Sequence, residues 1–195
     1  MQAAARNSLR TDNALPPRSS PARAPRLLHV RRRPGQHSLG WLQAGALRWP
    51  CALGRGGVTR AKREGDGGTP AGLLRPLQGF WRPDRLRLPA TALRFAPIRQ
   101  DDGWCDAPGH PAYNRKVKLP FRASHEEMWR ADGLYDVVID LDWNRRPAIA
   151  GRGSAIFLHL ARPDYAPTAG CIAVSPATMR RLVRLLTPRT RILVH

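Results

Sequence analysis

"YDVVIDLDWNRRPAIAGRGSAIFLHL", residues 135–160, decides the fold of this 195-residue chain. Its two ends, "YDVVIDLDW" (135–143) and "SAIFLHL" (154–160), are rich in β-branched and aromatic residues. The intervening "NRRPAIAGRG" carries the proline and glycines of a turn. The pattern predicts two strands. Side chains alternate along a strand, so Phe157 and His159 share one face of the second, and Ile156 and Leu158 share the other. An imidazole is thereby fixed on a rigid element, twelve residues ahead of Cys171.

Working outward toward the C-terminus, residues 171–174 read as a further short strand. "SPATMRRLVRLL" (175–186) reads as a helix, with Ser175 as N-cap and Pro176 at the first helical position, where its missing N–H costs nothing. Met179, Leu182, Val183 and Leu186 line one face, so the helix lies on a core. Arg180, Arg181 and Arg184 fall toward its C-terminal half, where the dipole favours cations. "TRILVH" (190–195) closes the chain as a strand.

Upstream, "LLHV", "SLGWLQAG" and "LRWPCALG" suggest a strand meander starting at Leu27. "VTRAKREGDGGTPAG" (58–72) reads as a polar, Gly-dense loop, and residues 73–123 as loop-rich. "SHEEMWRAD" (124–132) predicts a short helix, with Ser124 as N-cap and Glu127 completing a capping box. The expected class is mostly β with one or two short helices. Residues 1–26 are rich in Pro, Ser, Ala and Arg and poor in large apolar residues, so they read as a disordered tail ahead of a domain at 27–195. The tail has basic residues but no apolar stretch of the kind a signal peptide carries. No apolar run in the chain approaches the ~18 residues of a transmembrane segment.

The net charge is +19, with 30 of the 33 basic residues arginine. Residues 1–60 hold eleven arginines against one acid, Asp12, a net of +10. Such a field draws in polyanions, yet no nucleic-acid motif accompanies it, so no specific nucleic acid is expected as a partner. Three cysteines, Cys51, Cys105 and Cys171, are far apart with no C-x-x-C. In an oxidising compartment Cys51 and Cys105 could pair and leave Cys171 free, provided the fold brings their Cα atoms within roughly 7 Å. Irregular spacing among the His and Cys residues argues against a metal site, and no cofactor is implied.

The chemistry centres on "PTAGCIAV" (167–174). A loop joins His159 to Cys171, so a strand-held imidazole and a loop-end thiol can meet. An adjacent imidazole would lower the thiol pKa and take its proton. Gly170 lets the backbone approach a reacting carbonyl, and N–H groups around Gly170 and Cys171 would face its oxyanion. From the residues alone, a buried core cysteine is the commoner reading of such a site and a nucleophile the rarer one.

"GSAIFLH" followed by "PTAGCIAV" resembles the active-site segment of the YkuD-like L,D-transpeptidase family (the ErfK/YbiS/YcfS/YnhG group), an apolar strand ending in His and then Ser/Thr-x-Gly-Cys. Thr69-Pro70-Ala71-Gly72 is similar to the Thr-Pro-x-Gly loop of that family's compact branch, and "YNRKVKLPF" and "SHEEMWRAD" have counterparts there. The resemblance implies a curled, sandwich- or barrel-like sheet and a cysteine acyltransferase acting on peptidoglycan stem peptides in the cell envelope. Cys171 would be the nucleophile, His159 its base, and the Leu160 carbonyl the group that orients the imidazole. The acyl acceptor would be a neighbouring stem, a wall-attached lipoprotein or water. Lys62, Thr69, Asn114, Ser154 and Thr168 are the substrate-binding candidates. Ala169 and Ala173 depart from the His and Arg that many members carry there. A non-catalytic basic module binding wall or nucleic acid is the alternative.

Overall fold

The computed structural model describes residues 26–195. The tail expected at 1–26 therefore lies, apart from Arg26, outside the described residues. Three strands open the fold: β1 (Leu27–Arg32), β2 (Leu39–Ala44) and β3 (Leu47–Ala52), an antiparallel meander as the sequence suggests. Then come β4 (Val58–Thr59), β5 (Thr69–Pro70), β6 (Gly72–Leu74), β7 (Pro76–Trp81) and β8 (Phe95–Pro97). β9 (Asp102–Cys105), β10 (Arg115–Lys118) and β11 (His125–Glu127) precede β12 (Val137–Leu141), β13 (Phe157–Leu160) and β14 (Ile172–Val174). Helix α1 (Pro176–Leu185) and β15 (Arg191–Val194) end the chain.

Ten strands form one curled sheet in the order β6-β15-β1-β2-β3-β14-β13-β12-β7-β8. The class is the mostly-β one expected, with a single α-helix among the described residues. Every residue of β12 is buried because both its faces are covered. Ile139 and Leu141 enter the core under α1, whereas Val138 enters a second cluster with Phe80, Trp104, Met128, Tyr135 and Phe157. A small sheet, β10-β9-β11, covers this second face. In α1 the Ser175 hydroxyl accepts from the Thr178 N–H at 3.2 Å, and Met179, Leu182 and Val183 are buried, as the sequence pattern predicts.

Two expectations are corrected. "SHEEMWRAD" is not a helix: His125–Glu127 pairs antiparallel with Gly103–Cys105. The capping-box pattern loses because the β9 edge offers this segment backbone partners and a place to bury Met128. Residues 73–123, read as loop-rich, also hold four complete strands, three of them only three or four residues long, too short for local periodicity to reveal. The Cys51–Cys105 pair weighed above does not form; all three thiols are free and buried. Among the described residues, no helix is long and apolar enough to cross a membrane.

Candidate active site

β13 and β14 are parallel neighbours in the register Leu158↔Ile172, His159↔Ala173. Cys171, just before β14, therefore lies beside Phe157, while His159 sits beside Ala173. Both side chains belong to the face opposite Leu158 and Leu160, as strand alternation requires. Two residues of offset along adjacent strands put their Cα atoms roughly 8 Å apart.

The Cys171 thiol is anchored locally. Its S–H donates to the Ala155 carbonyl at 3.1 Å, and the sulfur accepts from the Phe157 N–H at 3.4 Å. Ala155 adopts a left-handed conformation (φ +50°), uncommon for a residue with a Cβ. Asn114 holds it there: its Oδ1 accepts from the Ala155 N–H and from Trp104 Nε1–H, each at 3.1 Å. Its Nδ2 donates to the carbonyls of Trp143 (3.1 Å) and Asn144 (2.7 Å). The backbone on the other side of the thiol is fixed by threonines. Thr168 Oγ1 donates to the Cys171 carbonyl at 2.7 Å and accepts from the Gly170 N–H at 3.1 Å. Thr69 Oγ1 accepts from the Gly54 N–H at 2.8 Å and approaches the Cys171 carbonyl at 3.4 Å. Gly170 has φ +137°, and a Cβ there would lie 2.9 Å from the Gly68 carbonyl oxygen, so only glycine suits the turn.

His159 Nδ1 lies 2.8 Å from the Leu160 carbonyl oxygen. A carbonyl only accepts, so Nδ1 carries the proton and Nε2 keeps its lone pair in the neutral ring. Burial pulls the imidazole down to about 4. Burial also pushes the Cys171 thiol up to about 12, with the Glu126 charge adding and the Phe157 N–H and Lys62 opposing. At neutral pH the site thus holds a thiol and a neutral imidazole. The expectation of a thiol acidified by its neighbour is corrected: the two groups line one cleft of about 390 Å³ with no hydrogen bond between them. The strand offset keeps them apart, and desolvation outweighs every stabiliser of the thiolate.

The substrate-binding candidates divide. Lys62 is buried against Asp66, and Ser154 Oγ donates to Glu64 Oε2 at 2.8 Å. The Asn114 and Thr69 side chains are spent on the scaffold described above. These four are not among the residues lining the cleft, whereas Thr168 is. The Gly170 N–H, expected to face an oxyanion, is engaged by Thr168. Ala169 and Ala173 both line the cleft, which is wider there than longer side chains would leave it.

Sequence reasoning missed Glu126, Arg130 and Tyr135, which form the opposite wall. The Tyr135 hydroxyl donates to Glu126, and the Tyr135 ring meets the His159 ring edge-on, with centroids 5.3 Å apart. The helix reading of 124–132 hid Glu126 and Arg130. The available signal was strand alternation, which puts Glu126 and Met128 on one face, both inward.

Compared with known proteins, the model of the YkuD L,D-transpeptidase catalytic domain matches residues 28–194. No curated protein matches the chain. Among solved structures, "Structure of Bdellovibrio bacteriovorus Bd1075" is similar at 14% identity with a TM-score of 0.42, covering 88% of this chain. This chain spans 48% of that one, about half its length.

Proposed function

The chain belongs to the YkuD family of L,D-transpeptidase catalytic domains, and on that premise we propose that residues 27–195 act on peptidoglycan stem peptides through a Cys171 acyl-enzyme. The supporting observation is the cleft shared by Cys171 and His159, with the imidazole tautomer fixed by the Leu160 carbonyl. The thiol attacks the carbonyl of the L-centred linkage in a donor tetrapeptide, and its proton passes to His159 Nε2. With a thiol at about 12 and an imidazole at about 4, full transfer in the empty cleft is strongly uphill. The proton therefore moves as the C–S bond forms. The tetrahedral oxygen collapses back, the C–N bond breaks, and His159 returns the proton to the departing D-Ala amine.

A thioester remains on Cys171. An amine from a second stem or from a wall-attached lipoprotein then forms an amide bond and regenerates the thiol; water in its place gives an L,D-carboxypeptidase. The envelope is where this substrate is found. Mass spectrometry of the intact protein with a carbapenem tests the reading. The expected result is an adduct on the wild type and none on Cys171→Ala. A folded wild type that stays unmodified would sink it in favour of a basic binding module, which salt-sensitive retention on peptidoglycan or DNA without turnover would then support.

A further inference from the structure

Glu126 is the one acid among the side chains lining the catalytic cleft, in a chain of net charge +19. It lies on β11, opposite Trp104 in register, so a paired backbone fixes its position. The Tyr135 hydroxyl occupies one carboxylate oxygen, Oε2, and among the described residues no hydrogen bond reaches Oε1. The guanidinium groups nearby answer a different acid. Arg130 binds Asp132 through two contacts at 3.0 and 2.6 Å, and Arg162 lies 3.9 Å from the same carboxylate. Among the described residues Glu126 is thus left with a spare acceptor oxygen, no ion pair and a place on the cleft wall.

We propose that Glu126, held by Tyr135, is the subsite that receives the ammonium group of the acyl acceptor, an inference resting on the acyl-enzyme reading above. The chemistry of the second half-reaction calls for such a group. The acceptor arrives as R–NH₃⁺ and must lie beside the Cys171 thioester before it loses a proton to solvent. The free amine then attacks the thioester carbonyl, the C–N bond forms and the C–S bond breaks. Its second proton goes by way of His159 Nε2 to the leaving sulfur, so the products are an amide, the Cys171 thiol and one proton. A carboxylate beside the thiol collects the cation from solution and disfavours water as the competing acceptor.

Burial holds the Glu126 carboxyl above its usual range; the nearby Asp106 and Glu64 charges add to this, and the Tyr135 hydroxyl and Arg130 oppose it. One oxygen of Asp106 is itself buried without a hydrogen-bond partner. Arg130 and Arg162 also line this cleft, and an ammonium bound at the free Glu126 oxygen would add to them in holding the carboxyl in its charged form.

The test is partitioning of the thioester formed from a tetrapeptide donor, with amide and hydrolysis products separated by mass. Two acceptors are compared at pH 7: glycinamide, largely an ammonium ion, and methoxyamine, a neutral amine. In Glu126→Gln the amide-to-acid ratio with glycinamide falls at least about tenfold, the scale of one lost charge-assisted hydrogen bond. The ratio with methoxyamine does not change. Glu126→Asp, which keeps the charge and shortens its reach, falls between wild type and Gln and serves equally if the Gln variant does not fold. An unaltered glycinamide ratio, or an equal fall with both amines, overturns the subsite and leaves the acyl-enzyme reading standing. A wild type that forms no acyl-enzyme overturns that reading first.

Discussion

Replacing Asn114 by alanine tests whether the site rests on one buried amide. Asn114 is 1% exposed, and its Oδ1 is the acceptor for both the Ala155 N–H and Trp104 Nε1–H. Alanine leaves both donors unpaired inside the protein at about 1–3 kcal/mol each. Asn114 also has φ +57°, a conformation that asparagine tolerates and that costs alanine about 1 kcal/mol more. The sum is about 3–7 kcal/mol of lost stability, and for a domain of this size each kcal/mol lowers Tm by about 2–4 °C. Thermal melts and urea titrations of wild type and variant measure the loss directly. Asn114→Asp keeps the acceptor oxygen and the backbone tolerance but turns its second oxygen on the Trp143 and Asn144 carbonyls, so it should not restore the lost stability. A loss below about 1 kcal/mol for the alanine variant would refute the reasoning, because neither donor could then depend on Oδ1.

Two further outcomes follow from the same geometry. His159 is held down to about 4 in the folded protein, below its ordinary value of 6.5, so between those pH values the unfolded chain binds the extra proton. Its contribution to stability is complete above about 6.5 and is lost as pH falls toward 4. Asp140, raised to about 7 by burial, has the opposite slope over part of this range, so wild type alone does not isolate the effect. The difference between wild type and His159→Gln in unfolding free energy, taken from urea titrations, should shrink by about 3 kcal/mol from pH 7 to pH 4; a constant difference counts against a buried neutral imidazole. Gly170→Ala puts a Cβ 2.9 Å from the Gly68 carbonyl oxygen at φ +137° and should cost about 2–4 kcal/mol in denaturant. Wild-type stability in that variant would mean the turn tolerates a side chain.

Much of the frame was legible in the sequence. Strands 137–141 and 157–160, the opening meander, and α1 with its Ser175 cap each carry a local signal: β-branched runs, turn residues, or a capped 3.6-residue pattern. Residues 124–132 misled because their local signal is helical while their partner, β9, lies some twenty residues upstream. Backbone pairing and the burial of Met128 outweigh a capping box worth about 1 kcal/mol.

By itself the sequence determined that His159 and Cys171 would sit on adjacent elements, because a strand fixes which face a histidine occupies and a Gly-Cys turn starts the next strand. Only the tertiary structure decided their state. Register separates them by two residues, burial keeps thiol and imidazole both neutral, and a remote strand brings Glu126 and Tyr135 to the opposite wall. The reason is that pKa values and cleft walls come from what surrounds a group in space, and most of those neighbours are distant along the chain.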